Sequence, residues 1–159
     1  MSAGPLVAAL AGVPAGRGVD RFGAHRMTLV GLTMMTLGAG ALALVSPAWG
    51  IWGYVTALVT VTAGYAVFQA ANNTAVVTGV GPSQRGVVSG LLTLSRNLGL
   101  ITGASAMGAV FALGSGARDV ASTGVTGAVA GTHAAFAVAA ALAVVALVVG
   151  ASIRPHAAQ

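Results

Sequence analysis

The sequence predicts an all-α polytopic membrane protein with four full transmembrane helices and a partial helix before them. Three observations carry that prediction. The 159 residues are 57% hydrophobic and 6% charged, with a mean hydropathy of +0.93, whereas soluble domains carry about 25% charged residues. The apolar residues come in uncharged blocks of the length a bilayer demands, about 20 residues per helix. Charge is confined between the blocks: four of the nine charged residues, Arg17, Asp20, Arg21 and Arg26, fall in the stretch GRGVDRFGAHR over 16–26. Strands are not expected, because an open sheet edge leaves backbone groups unpaired in lipid.

The elements follow in order. Residues 5–13 (PLVAALAGV) are apolar but too short to cross, and no basic stretch precedes them as in a signal peptide, so they read as the end of a helix whose beginning is missing. A loop over 14–26 leads to the first full span, 27–47, which would extend about 31 Å at 1.5 Å per residue. Ser46 to Gly50 make a turn, and the second span, 51–73, begins with Trp52 and Tyr54 beside Trp49, as residues of an interfacial aromatic belt do. The break GVGPSQRG over 79–86 offers Pro82 and Ser83 as a helix start. A long third helix covers 84–113, with its apolar part from about 94 to 113. A loop rich in Gly, Ser and Thr (114–132) precedes the last span, 133–153, and the tail RPHAAQ.

Arginine placement orients the chain. With 14–26 cytoplasmic, alternation puts 79–86 and the C-terminus on the same side, collecting Arg17, Arg21, Arg26, Arg85 and Arg154 and leaving Arg118 outside with the 114–132 loop, as the positive-inside rule requires. Nucleic acid is not an expected partner, since the arginines stand singly without a basic-aromatic surface. The chain has no Cys, which excludes disulfides and thiolate metal sites. No metal-ligand spacing, nucleophile-base set or phosphate-binding glycine loop occurs, so neither an enzyme, a catalytic residue, a metal nor a cofactor is expected.

The 16–26 cluster admits two readings. Its basic residues can simply hold the loop in the cytoplasm. Alternatively, Asp20 can pair with Arg21 or cap a neighbouring helix, forming a charge cluster that makes and breaks as a conformational latch. On the second span, Tyr65, Phe68, Gln69, Asn72 and Asn73 recur at i, i+3, i+4, i+7 and i+8, one helical face that cannot look at lipid. That face serves either interhelical hydrogen bonding or the wall of a substrate path. Arg96, followed by Asn97, is the one charge inside a predicted helix. It either snorkels to the cytoplasmic interface or faces inward toward a carboxylate from outside this chain's spans. Gly99 and Gly103 form a G-x-x-x-G pair that Gly108 extends, and Gly31 and Gly38 lie seven apart on the first span, so close helix approach is expected at both.

Gly16, Asp20, Arg21, Gly23 and Arg26 resemble the G-x-x-x-D-R-x-G-x-x-R loop between the second and third helices of each half of the major facilitator superfamily of secondary transporters. The stretch FQAANNTAVVTGVGPSQRGVVSGLLTLSRNLGLITGASAMGAVF (68–111) is similar to the tenth and eleventh helices of its drug:proton antiporter branches, especially the fourteen-helix one. The resemblance implies the C-terminal part of such a transporter in a bacterial cytoplasmic membrane, with the N-terminal half missing. It implies a small, hydrophobic or cationic organic substrate and protons as the coupling ion. Proton coupling commonly uses an intramembrane carboxylate, and both acids here, Asp20 and Asp119, lie in predicted loops, so the coupling group is expected in the missing half. The alternatives are a truncated membrane remnant or small helical bundle that transports nothing, and a small transporter working as a dimer.

Overall fold

The computed structural model describes residues 15–44, 49–116 and 124–152, and among them the regular structure is helical throughout. The helices are α1 (Ala24–Leu44), α2 (Gly50–Thr78), a 3-10 turn at Pro82–Gln84, α3 (Arg85–Ser115) and α4 (Val125–Ser152), preceded by a helical stretch over 15–22. All four α-helices are long and apolar enough to cross a membrane. The all-α polytopic fold expected from the sequence is the one observed.

Two predicted loops are largely helical. Residues 15–22 of the expected 14–26 loop form a helix whose Ala15 and Val19 are buried while Arg17, Asp20 and Arg21 point outward. The charges therefore occupy one face rather than a disordered turn. Gly23, at φ +85, makes the single break; its N–H donates to the Val19 carbonyl at 2.9 Å, and its own carbonyl accepts from Met27 at 3.2 Å. Only glycine takes that backbone conformation without strain, and it redirects the chain within one residue, so α1 begins at Ala24 instead of 27. The expected 114–132 loop is shorter as well. α3 runs to Ser115 and closes at Gly116, whose N–H donates to Leu113 O at 3.3 Å, and α4 begins at Val125. Gly127, Gly131 and Thr132 suggest a loop by propensity, but Gly131 is buried against Phe111 and Thr132 Oγ1 donates to Ala128 O at 2.8 Å. Packing outweighs the weak propensity penalty. The partial helix at 5–13, the tail, Arg118, Asp119 and Arg154 lie outside the described residues.

In space the helices are ordered α2, α1, α4, α3. α1 packs on both α2 and α4, and α4 packs on α3, while α2 and α3, though consecutive in the chain, hardly touch. The core is the α1–α2 seam. Gly31, Leu32, Gly38, Ala39 and Leu42 are buried from α1, and Ala57, Gly64 and Ala71 from α2; Gly31 and Gly38 face α2, whereas Leu32 also reaches Gly150 of α4. A Cβ on Gly31 would lie 2.6 Å from the Phe68 backbone nitrogen, and one on Gly64 would lie 2.9 Å from the Gly31 carbonyl oxygen. With lipid tails as apolar as Leu, such backbone-to-backbone contact is the principal source of association between the helices. The close approach expected at Gly31 and Gly38 is present.

Many hydroxyls of the spans are satisfied within their own helix. Thr28, Thr36, Thr60, Thr74 and Thr102 each donate to the carbonyl four residues earlier, at 2.7 to 2.9 Å. Such side chains need no partner from another helix. Amides and guanidinium groups are too large and have too many donors for this local solution, so their neighbours are informative.

Candidate functional site

The gap between α2 and α3 is an open cleft of about 350 Å³. From α2 it is lined by Tyr65, Phe68, Gln69, Asn72 and Asn73, and from α3 by Leu92, Thr93, Ser95 and Arg96. The helical period accounts for the first wall, since positions three and four apart share a face. The second wall follows the same rule: Leu92 and Thr93 lie four and three residues before Arg96. Leu92, Thr93 and Ser95 carry no conspicuous polarity, and only that spacing from Arg96 could have marked them.

Arg96 crosses the cleft. With the Gln69 amide turned so that its oxygen faces the guanidinium, that oxygen accepts from Nη1 and from Nη2, the latter at 3.3 Å. The guanidinium carbon also stands 6.0 Å from the centroid of the Tyr65 ring, the outer range of a cation–π contact. Tyr65 and Gln69 lie near the middle of α2, and Arg96 is roughly 16 Å along α3 from Arg85 at 1.5 Å per residue. The side chain therefore reaches toward the middle of α2 and does not extend along its own helix to the end at Arg85. Across the cleft it meets an amide and a ring, not a carboxylate. Asp20 is the one acid among the described residues, and no ion pair joins it to Arg96 or to another described residue. Asn97 is exposed and does not line the cleft.

Other candidate residues stand apart from this cleft. Gly16, Asp20, Arg21, Gly23 and Arg26 lie around the bend before α1. Asp20, Arg21 and Arg26 are exposed, and the Arg21 guanidinium carbon sits 5.5 Å from the Phe22 ring centroid. The G-x-x-x-G face of α3 has no partner among the described residues: a Cβ on Gly99, Gly103 or Gly108 would meet nothing within 4 Å. The expected close approach at these three glycines is not found among the described residues. Packing of α3 instead uses its far end, where a Cβ on Gly114 would lie 2.6 Å from Ala134 Cβ and one on Gly131 would lie 2.8 Å from the Phe111 carbonyl oxygen. The small-residue pattern marks a face able to approach a neighbour but does not supply the neighbour.

Four helices long and apolar enough to cross a membrane, two of them lining an open polar cleft, define an integral membrane protein. Residues 1–104 match the profile of the Major Facilitator Superfamily. That is more than half of the chain, and the protein belongs to this superfamily, whose members are transporters rather than enzymes. No curated protein and no solved structure matches the chain.

Proposed function

We propose that the protein is a secondary active transporter component that exports organic compounds, with the α2–α3 cleft as part of the substrate path. The observation that carries this reading is the conjunction of two ring faces, three amides and a guanidinium in one cleft between helices that cross the membrane. Polar groups inside a membrane are costly unless they serve packing or a pathway, and beyond the Gln69–Arg96 bridge the two helices hardly touch. The resemblance to drug:proton antiporters points to hydrophobic or cationic cargo and to protons as the coupling ion. The rings of Tyr65 and Phe68 support the hydrophobic part. Proton coupling then requires a titratable group beyond those lining the cleft, which further helices seated on the exposed apolar faces of α3 and α4 would supply. In this reading Gly16, Asp20, Arg21, Gly23 and Arg26 form a cytoplasmic latch.

A second reading rests on the unpartnered glycine face of α3: a membrane interaction protein in which that face joins helices and nothing is transported. Export of several chemically distinct compounds from cells making the protein separates the two. Gln69→Ala and Asn73→Ala are expected to change export of some compounds and not others, by up to about tenfold, which corresponds to 1.4 kcal/mol of affinity. Interhelical ties average about 0.6 kcal/mol and act on folding, so a uniform loss explained by reduced protein in the membrane refutes the substrate path.

A further inference from the structure

We propose that the α2–α3 cleft selects an organic anion: a small carboxylate with an aromatic or aliphatic body, its charge on Arg96 and its body against Tyr65 and Phe68. The inference deepens the reading of the cleft as a substrate path and rests on it. It opposes the cationic part of the expected cargo.

The argument begins with the guanidinium's donors. Arg carries five N–H groups in a planar fork, and the Gln69 oxygen engages one on each terminal nitrogen. Nε–H and one N–H on each terminal nitrogen remain, enough for a bidentate carboxylate. Gln69 is neutral, and the Tyr65 ring lies at the limit of cation–π range, so neither removes the positive charge. Among the described residues no carboxylate lines the cleft. Its side chains are otherwise amides, hydroxyls, rings and Leu92, and the Thr93 hydroxyl already donates to Ser89 O at 3.0 Å. The cleft therefore carries one full positive charge, which repels a cation and attracts an anion. The volume of about 350 Å³ lies at the small end of ligand sites, the size of a one- or two-ring compound. Gln69 fixes the fork across the cleft, and such prior orientation favours a planar anion over a point charge.

The test uses the full chain in nanodiscs of zwitterionic lipid and three probes of one shape: 2-naphthoate, its neutral amide, and the 2-naphthylmethylammonium cation, each measured by equilibrium dialysis. Naphthoate is expected to bind at least tenfold tighter than the amide or the cation. Arg96→Gln removes that advantage, and Arg96→Lys, which keeps the charge and loses the fork, retains part of it. Both variants are compared with the parent by circular dichroism, so that loss of fold is separated from loss of preference. Equal or tighter cation binding overturns the proposal, as does a carboxylate preference that survives Arg96→Gln. So does loss of naphthoate binding in discs containing phosphatidylglycerol, which would give the guanidinium to a lipid phosphate. If the three probes bind alike and all weaken in Phe68→Ala, the anion inference falls while the cleft stands as a path. If no probe responds to Phe68→Ala, the path reading falls and takes the inference with it.

Discussion

Replacing Gly31 by Ala tests whether the α1–α2 seam holds the bundle together. The added Cβ would sit 2.6 Å from the Phe68 nitrogen, 2.8 Å from the Gly64 carbonyl oxygen and 2.8 Å from the Phe68 Cα. All three are backbone atoms, so no rotamer change relieves the contact. Restoring ordinary van der Waals distance requires the helices to part locally by roughly 0.8 Å, a gap that forfeits a quarter to a half of each contact's attraction along the opened seam. Overpacking of this kind costs about 1–3 kcal/mol. Ala gains about 1 kcal/mol over Gly in helix propensity, leaving a net loss of about 0–2 kcal/mol. Gly40, on the same helix, supplies the control, because a Cβ there meets nothing within 4 Å. Gly40→Ala is expected to be neutral or stabilising by up to about 1 kcal/mol. Unfolding of each variant by SDS in mixed micelles, followed by circular dichroism, measures the difference. A Gly31→Ala protein as stable as Gly40→Ala would refute the seam as the source of stability.

Two further predictions concern the bend and the orientation. Asp20→Asn keeps the shape of an exposed side chain and removes the one described acid, so membrane insertion is expected to persist while export falls at least tenfold; unchanged export returns the bend to a purely topological role, since acidic residues contribute little to orientation. Because the chain has no native Cys, Ser83→Cys and Val125→Cys report sidedness directly: an impermeant thiol reagent added outside intact cells is expected to label the second and spare the first, and labelling of Ser83→Cys would invert the assigned topology.

The parts of this architecture legible in the sequence are those set by period and hydropathy. Four apolar blocks gave four helices, and the spacing of Tyr65, Phe68, Gln69, Asn72 and Asn73 placed them on one wall. What was not legible depended on neighbours. Residues 15–22 and 125–132 read as loops because local signals, charge in one and Gly with Thr in the other, point away from helix, while the burial of Val19 and Gly131 favours it. Gly31 and Gly99 carry the same chemical invitation to close packing, yet only Gly31 has a backbone against it. The direction of Arg96 was likewise undecidable from its position on the helix, because it depends on how far α2 and α3 diverge.

That divergence also relates the packing to the cleft. Phe68 belongs to both: its backbone nitrogen lies against Gly31 in the α1–α2 seam, and it also lines the cleft. One wall is thus fixed by a backbone-to-backbone contact in the α1–α2 seam. The opposite wall, carrying Arg96, belongs to α3, which buries no residue and is held mainly through α4 at Phe111 and Gly114. Those contacts lie well beyond Arg96 along the helix, roughly 22 Å at 1.5 Å per residue for Phe111, so a small tilt of α3 about them moves the guanidinium while Gln69 stays in place. The Gln69–Arg96 bridge is therefore the link that such a tilt breaks first. A ligand that competes with Gln69 for the same N–H groups would favour the tilted arrangement by whatever it gains there, which makes the width of the cleft and its occupancy one coupled equilibrium.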